Sequence, residues 1–461
     1  MDLVTALREA LPPYRVLTDP DVLATYRRDE ADLVDDGRPL CVVRPQSTGE
    51  VQEIVKLAAR FNAPIVPQGA RTGLAGGANT VDGCIAVSLQ LMDQIVEIDP
   101  VNRIAVVQPG VVNAVLRRAV AEKGLYYPPD PGSFESSTIG GNAATNAGGM
   151  CCVKYGVTTG YVLGLEVVLA DGEVLRTGRR TPKGVAGYDL TSLFVGSEGT
   201  LGIITEVTVA LRPAPDRSLS LVAVFPTTTA AGRAVNEIMA GGNSPSLLEL
   251  LDQVHLRALE AYRPMGLDVN AAALLLAACD TGPRAGADLD EIARVAKLAG
   301  ASEVYRATDE DEAAALLAAR RLAHPAMERF AAGLYQRSGL IIDDIAVPRS
   351  RLAELLDGIT AIAAKHDVAV GVVGHAGDGN LHPNIVVDRD DPQSVRRGHV
   401  VFDEIMELGL ALGGTCTGEH GVGLLKRGWL ATEAGPVGLR VQRAVKHALD
   451  PAGLFNPGKM F

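Results

Sequence analysis

Glycine-rich segments that follow predicted strands constrain this chain more than any other feature. The segment PQGARTGLAGGA (67–78) comes directly after a strand-like run and holds four glycines between positions 69 and 77. Because glycine has no side chain, such a loop can bring backbone N–H groups close to a pyrophosphate, and Arg71 adds positive charge. The spacing is neither G-x-G-x-x-G nor a Walker A loop, which argues against Rossmann and P-loop sites.

Two further segments repeat this character. DPGSFESSTIGGNAATNAGG (130–149) is built mainly from Gly, Ala, Ser, Thr and Asn, and GSEGTLGIITEV (196–207) enters a predicted strand through glycines. Small residues let a flat ring approach the backbone, while Thr138, Asn142 and Asn146 offer side-chain hydrogen bonds. Either of the first two segments alone is explained equally well as an ordinary surface loop. The inference that they bind a pyrophosphate-containing ligand therefore rests on all three segments together.

The pattern of the remaining chain predicts an α+β protein. Residues 41–69 have the signature of a strand, a helix capped by Ser47 or Thr48, and a second strand. Residues 161–178 predict a hairpin with an Asp-Gly turn. Beyond Pro215, strands and helices alternate as in a ferredoxin-like domain, with helices expected from Thr228 and from Asp288.

The expected domain organisation follows from that change of pattern. We predict a domain at 1–215 with a helical lead-in at 1–40, a ferredoxin-like substrate and metal domain at 216–395, and a mainly helical C-terminal segment at 396–461.

Composition excludes several function classes. The chain has 461 residues and a formal net charge of −12, which argues against nucleic acid or anionic lipid as the main partner. No run reaches the ~18 apolar residues of a membrane span, and the N-terminus lacks signal-peptide features. We therefore expect a cytoplasmic protein, with peripheral membrane association as the alternative. None of the six cysteines forms a C-x-x-C pair, so no iron–sulfur cluster or cysteine-type zinc site is encoded.

Two histidines predict a metal site in the second half of the chain. VGVVGHAGDGNLHPNIVV (370–387) has the pattern of a hairpin. If Asp378-Gly379 is a two-residue turn, His375 lies directly opposite His382, with Cβ atoms ~5 Å apart. Two imidazoles at that separation can hold one metal ion.

A third ligand and a base are predicted from GGTCTGEHGVGLLKRGWL (413–430), which places Glu419 and His420 in a turn at the start of a helix. Two His nitrogens and one carboxylate oxygen, with positions left open, are typical of a catalytic metal. His420 would then be available as a base. Satisfied structural histidines are the alternative explanation.

The three glycine-rich segments together resemble the FAD-binding domain of the vanillyl-alcohol oxidase/p-cresol methylhydroxylase superfamily, over roughly residues 36–215. The resemblance implies a two-part FAD-binding domain in which the first segment wraps the pyrophosphate and the second lies along the isoalloxazine. By the same resemblance, the third segment, with Glu198, supplies main-chain contacts to the flavin and the adenine. Some members tether the flavin through His or Cys, but residues 67–79 contain neither, so we expect non-covalent FAD. The implied flavin contacts are Pro67, Gln68, Gly69, Ala70, Arg71, Thr72, Gly73, Leu74, Gly132, Ser133, Thr138, Gly141, Asn142, Thr145, Glu198, Gly202, Ile204 and Asn456.

The second half resembles the FAD-linked oxidase C-terminal domain, through H-x-G-D-G-N-[LI]-H and G-E-H-G signatures. The whole chain is similar to the group of glycolate oxidase flavoprotein subunits, D-lactate dehydrogenases and D-2-hydroxyglutarate dehydrogenases. By that resemblance His375, His382 and Glu419 bind Zn²⁺, or another divalent ion such as Mn²⁺ or Fe²⁺. His420 is then the catalytic base, and the terminal FNPGK motif adds Lys459 near the flavin.

The substrate contacts implied by the resemblance are Arg320, Asn384, His420 and Lys459. Register favours Arg320 over its neighbour as the clamp for a substrate carboxylate, since a planar guanidinium matches a carboxylate bidentately. Hydroxyglutarate enzymes carry a Thr and a Lys where this chain has His324 and Ile342. That difference favours a monocarboxylate such as D-lactate or glycolate.

The expected reaction is oxidation of a D-2-hydroxy acid to the 2-oxo acid, with hydride transfer to flavin N5. The alternatives are hydroxyglutarate oxidation, a flavin subunit active only within a larger electron-transfer complex, and a metal-dependent hydrolase. The expected partners are the small acid and an external electron acceptor: a quinone, a cytochrome or an electron-transfer flavoprotein. The oligomeric state is open, with a homodimer among the alternatives.

Overall fold

The computed structural model describes residues 1–181 and 183–461, and these form two compact units. The first unit contains Met1–Gly148, Val157–Ala214 and Glu419–Phe461, and the second contains Gly149–Gly156 and Pro215–Gly418. The domain bounds expected from the sequence, 1–215, 216–395 and 396–461, stay predictions.

The regular elements are as follows in chain order. The helices are α1 Leu3–Ala10, α2 Pro20–Ala24, α3 Thr48–Phe61, α4 Asn113–Ala121, α5 Ile139–Thr145, α6 Cys152–Tyr155, α7 Leu190–Phe194, α8 Thr228–Ala240, α9 Gln253–Tyr262, α10 Ala285–Leu298, α11 Glu310–Arg321, α12 Ala323–Leu334, α13 Leu352–His366, α14 Pro392–Ala411 and α15 Arg427–Leu449. The strands are β1 Val16–Leu17, β2 Cys41–Val43, β3 Ile65–Gln68, β4 Ile85–Ser88, β5 Ile95–Asp99, β6 Ile104–Val107, β7 Leu125–Tyr126, β8 Val162–Val168, β9 Val174–Gly178, β10 Ile203–Ala210, β11 Arg212–Pro213, β12 Leu219–Phe225, β13 Leu247–Asp252, β14 Ala273–Cys279, β15 Glu303–Arg306, β16 Ser338–Ile342, β17 Ile345–Ala346, β18 Val370–His375 and β19 Asn380–Asp388.

The first unit begins with the expected strand, capped helix and strand. Ser47 Oγ accepts a hydrogen bond from Glu50 N at the start of α3, which satisfies a backbone donor that the helix itself leaves open. Val51, Ile54 and Val55 are fully buried and fix α3 on a sheet of order β1-β2-β4-β3. The strand β3 lies at the end of this sheet order, is buried at Ile65 and Val66, and leads into the first glycine-rich segment.

A second sheet of the first unit has the order β5-β6-β10-β8-β9 and is antiparallel throughout. The predicted hairpin is present as β8 and β9. Its turn carries Gly172 at φ +81°, a conformation that favours glycine. The strand β10 follows the third glycine-rich segment and is buried at Ile204.

The second unit is built on one large sheet, in the order β15-β12-β14-β13-β18-β19-β16, with β17 paired to β19. Its first four members are β12, β13, β14 and β15, and their spatial order 4-1-3-2 is that of a ferredoxin-like fold. The predicted helix after Phe225 begins at Thr228 as expected, whereas the next predicted helix begins at Ala285 rather than Asp288. Within the two described ranges, no helix combines the length and apolar character needed to span a bilayer.

Candidate functional site

The first two glycine-rich segments lie side by side in the first unit. A Cβ atom on Gly69 would fall 2.5 Å from Thr138 Oγ1, closer than real Cβ contacts allow. Thr138 cannot move without cost, because its Oγ1 accepts a hydrogen bond from Gly141 N at the start of α5 (3.2 Å). Gln68 fixes the base of the first segment, since its Nε2 donates to Tyr26 O and Ala78 O, both at 2.8 Å.

Predicted flavin-binding residues also keep polar atoms available for a ligand. Gln68 Oε1, Arg71 Nη1 and Asn456 Oδ1 are buried and make no hydrogen bond within the described part of the chain. Buried polar atoms normally have partners, so these point to a ligand that supplies them. The Arg71 guanidinium lies 4.4 Å from the ring centre of Tyr26. The set fits FAD, which presents phosphate oxygens and ring amide groups.

Several other predicted flavin-binding residues also have contacts within the protein. Asn142 Oδ1 accepts from Asn113 Nδ2 at 3.0 Å, and Thr145 Oγ1 donates to Gly141 O at 3.2 Å. Gly202 has no room for a side chain, since a Cβ would lie 3.0 Å from Val168 O. Around Gly132, by contrast, a Cβ would meet open space.

Glu198 in the third segment supports a distant loop of the same unit. Its carboxylate is buried and accepts hydrogen bonds from Val422 N at 2.6 Å and Gly423 N at 2.7 Å. Asn456 Nδ2 donates to Glu198 O at 2.7 Å. Burial raises the pKa of Glu198 to about 7, and the two backbone N–H donors limit that rise. Glu198 was expected to contribute main-chain contacts; the side-chain role is an addition.

The loop that Glu198 supports carries Glu419 and His420. These residues lie in a non-helical, glycine-rich stretch, as expected, but the following helix α15 begins only at Arg427, seven residues after His420. The glycines at 421 and 423 have positive φ angles, which a helix cannot accommodate. Glu419 packs against the end of the second glycine-rich segment, where a Cβ on Gly148 would lie 2.4 Å from its Oε2.

Lys459 contacts the first segment. Its Nζ donates to Asn79 O at 2.6 Å, and burial lowers the pKa of this amine to about 8. Asn456 shares this environment, since its Nδ2 also donates to Gly77 O at 2.9 Å. Within the first unit, the terminal FNPGK motif therefore contacts the 67–79 segment.

The histidine hairpin of the second unit has a different register from the predicted one. His375 pairs with Asn380 and His382 with Val373, so the two histidines are diagonal rather than opposite. The two-residue turn is replaced by a four-residue connection, because Gly377 N donates to Leu248 O of the neighbouring strand β13 (3.0 Å). The displacement is an even number of residues, so both histidines still occupy one face of the sheet.

The two imidazoles are close together on that face. Their ring centres are 5.2 Å apart, with the rings nearly perpendicular at 82°. His382 Nδ1 lies 3.6 Å from Asp344 Oδ1. Asn384 is buried, and its Nδ2 donates to His382 O at 2.8 Å.

Glu249 connects the histidine face to the predicted substrate clamp. Its Oε1 lies 2.8 Å from His375 Nδ1, and its Oε2 accepts from Arg320 Nε at 2.6 Å. Burial favours a raised pKa, but His375 and Arg320 outweigh it and hold the pKa of Glu249 below its ordinary value. Sequence reasoning missed this residue. The signal available was an acidic residue with two leucines on each side, in the strand LLELLD (247–252).

Two known protein families match the sequence of this chain. A family described as "FAD linked oxidases, C-terminal domain" matches residues 214–460, more than half of the chain. A second, described as "FAD binding domain", matches residues 39–178. The chain belongs to the FAD-linked oxidase family. The predicted resemblance and the assignment as an FAD-linked oxidoreductase are thereby confirmed.

Relatives of this FAD-linked oxidase cover almost its whole length. The glycolate oxidase subunit GlcD of Bacillus subtilis (strain 168) is 44% identical, over 92% of this chain and 89% of its own length. The D-lactate dehydrogenase of Anaerostipes hadrus is 34% identical, over 98% of this chain and 95% of its own.

Solved structures confirm the expected fold class. p-Cresol methylhydroxylase with substrate bound aligns with a TM-score of 0.80 at 19% identity, covering 99% of this chain and 96% of that one. The 4-ethylphenol oxidase from Gulosibacter chungangensis gives 0.79 at 21% identity, with the same coverage. At these identities the likeness concerns the fold alone.

Proposed function

We propose that this FAD-linked oxidase converts a D-2-hydroxy acid, with D-lactate or glycolate favoured, into the 2-oxo acid with the help of a divalent metal ion. The observation that carries the proposal is the second unit's buried network, in which Glu249 joins Arg320 to His375 while His382 occupies the same face. Metal-ligating imidazoles and a carboxylate-binding guanidinium suit an acid with hydroxyl and carboxylate on adjacent carbons. The names of the relatives, glycolate oxidase subunit and D-lactate dehydrogenase, support the same class.

The residues would divide the work as follows. Arg320 would hold the substrate carboxylate through its terminal nitrogens, with Asn384 and Lys459 as further predicted contacts. An imidazole nitrogen of His420 would take the hydroxyl proton as the C=O bond forms and the α-hydrogen leaves with its electron pair. FAD, when bound, supplies at flavin N5 the acceptor for that hydride.

The proposed metal ligands are His375, His382 and Glu419. An ion held by them, Zn²⁺ or else Mn²⁺ or Fe²⁺, would lower the pKa of the substrate hydroxyl. The donor set of two imidazoles and a carboxylate fits such an ion, and the first two already share one face of the sheet. Treatment with a chelator should abolish substrate oxidation while FAD stays bound, and one of these ions should restore it. Full activity in demonstrably metal-free protein would contradict the metal's role.

FAD is proposed to be bound without a covalent link, because the 67–79 segment offers neither His nor Cys. Denaturation followed by filtration should release the yellow colour into the filtrate. Hydroxyglutarate is disfavoured because His324 and Ile342 replace the residues expected for a second carboxylate. The His324 side chain is exposed, and its Nε2 lies 3.6 Å from Oε1 of Glu328, which is also a surface residue.

The decisive experiment is an anaerobic screen of D- and L-2-hydroxy acids for flavin bleaching. D-lactate or glycolate should bleach the purified protein, and His420→Ala should retain FAD but lose bleaching. The control is His447→Ala, which removes an exposed histidine of the first unit and should behave as wild type. Normal bleaching by His420→Ala would remove the proposed base from the mechanism.

A second candidate is a flavin subunit that turns over only within a larger assembly. The word "subunit" in the name of the Bacillus subtilis relative favours it. Bleaching of the isolated protein argues against this candidate, whereas bleaching that needs added partner proteins supports it. Transfer of electrons to a quinone, a cytochrome or an electron-transfer flavoprotein can be compared in the same assay.

A further inference from the structure

Glu249 occupies a position that neither the flavin nor the metal assignment explains. It lies in the middle of β13, fully buried, with two leucines on each side of it in the strand. The pairs Leu250–Gly374 and Leu251–Val373 define the register of β13 against β18, and one further step places Glu249 opposite His375. Burying a carboxylate costs several kcal/mol unless partners compensate, so the partners explain its presence.

Each oxygen of this carboxylate has one nitrogen partner. Oε1 lies 2.8 Å from His375 Nδ1, and Oε2 lies 2.6 Å from Arg320 Nε. A carboxylate accepts, so His375 must carry a hydrogen on Nδ1, which leaves Nε2 as the nitrogen with a lone pair for a metal ion. Arg320 is held through Nε, and its two terminal nitrogens remain as the pair that matches a carboxylate.

We propose that Glu249 is a positioning residue that sets the tautomer of His375 and the orientation of Arg320 at the same time. One carboxylate thereby couples the metal ligand to the substrate clamp. This inference rests on the proposed function, because it concerns how the two halves of that substrate site are held. It predicts that loss of Glu249 weakens metal binding and carboxylate binding together.

The test compares Glu249→Gln with Asp252→Asn in the full-length holoenzyme. Asp252 is a matched control: it lies three residues along β13, accepts hydrogen bonds from His255 N and Val372 N, and has its Oδ1 3.1 Å from His255 Nδ1, so its partners differ from those of Glu249. Metal affinity is measured by competition with a chromophoric chelator, and KM and kcat by anaerobic flavin reduction. FAD content and thermal midpoint are recorded for every protein.

Glu249→Gln should lose ~10- to 100-fold in metal affinity, the range typical of a lost outer-shell partner, and its KM should rise with FAD content unchanged. Asp252→Asn should lower the thermal midpoint without changing either affinity. Glu249→Asp, which keeps the charge on a shorter side chain, should recover part of both affinities. Equal affinities for Glu249→Gln and wild type would overturn the proposal.

If the variants fail to fold, the tautomer of His375 can be measured in the wild-type protein instead. Nitrogen-15 labelling of histidine should show His375 protonated on Nδ1 in metal-free protein, and the opposite tautomer would overturn the inference. Failure of the proposed function has a different signature: the wild type then bleaches with no 2-hydroxy acid, whatever the tautomer of His375.

Discussion

The two units build their candidate binding groups by opposite means. The first unit uses absent side chains: glycines at 69, 148 and 202 stand where a Cβ would collide with neighbouring atoms. The second unit uses charged side chains buried in a sheet, with Glu249 between His375 and Arg320. The first solution suits a large planar cofactor bound along the backbone, and the second suits a small charged substrate.

This difference determines how each unit should respond to mutation. A side chain added to a glycine displaces specific neighbours and should impair one binding function at a time. A charge removed from the buried network leaves its partner uncompensated, so binding and stability should change together.

Arg320→Lys should lower kcat/KM on the order of 100-fold, because charge-assisted hydrogen bonds worth roughly 1.5–3 kcal/mol are lost with the planar guanidinium. FAD content should be unchanged. Steady-state kinetics with an artificial acceptor measure the effect. Arg321→Lys, at the neighbouring exposed position, is the control and should retain wild-type kinetics. An unchanged KM for Arg320→Lys would mean that another residue binds the carboxylate.

Gly148→Ala should weaken metal binding about tenfold by displacing Glu419, an effect of the size expected for a misplaced ligand environment. The added Cβ would lie 2.4 Å from Glu419 Oε2 and 2.9 Å from its Cβ. Chelator competition measures the change, with FAD content as the internal reference. Gly160→Ala is the control, since a Cβ there meets nothing within 4 Å. Unaltered metal affinity would indicate that Glu419 is not a ligand.

Gly69→Ala should lower FAD affinity about fivefold, because the new Cβ pushes Thr138 from its capping position and a helix cap is worth ~1 kcal/mol. Flavin fluorescence on titration of the apoprotein gives the dissociation constant. Metal binding should be unaffected, which separates this variant from the previous one. Equal loss of metal and FAD would show that the first unit does not keep these functions separate.

Sequence patterns recovered the parts of the site that are encoded locally. The glycine-rich segments, the cap at Ser47 and the hairpin at Gly172 each depend on residues within one short stretch. The choice of face for His375 and His382 was also local, because a hairpin connection with an even number of residues, whether two or four, puts both on one side of the sheet.

The parts that sequence could not supply depend on pairing between distant strands. Gly377 N bonds to Leu248 O, which lies on β13, and this contact changes the turn of the histidine hairpin. Glu249 meets His375 only because β13 and β18 are neighbours, although 126 positions separate the two residues. A local sequence pattern does not identify a partner so far away in the chain. The role of Glu249 can therefore be inferred only from the folded sheet.

Glu198 offers the smallest predicted effect and tests whether a buried charge can also control the first unit. Its pKa of about 7 in the folded protein lies above the ordinary value of 4.5, chiefly because of burial. Stability from this group is therefore fully present below pH 4.5 and is lost as the pH rises through about 7. Between pH 5 and pH 6 the free energy of unfolding should fall by about 1 kcal/mol on this account.

Glu198→Gln should remove that slope in denaturant titrations at a series of pH values. It should also cost stability at low pH, because an amide satisfies only one of the Val422 and Gly423 N–H donors well. Glu97→Gln, which alters a carboxylate paired with Arg180 near the surface, is the control and should keep the wild-type slope. An identical slope in Glu198→Gln would mean that the loop carrying His420 is held independently of this carboxylate's charge, and the first unit would then rely on its glycines alone.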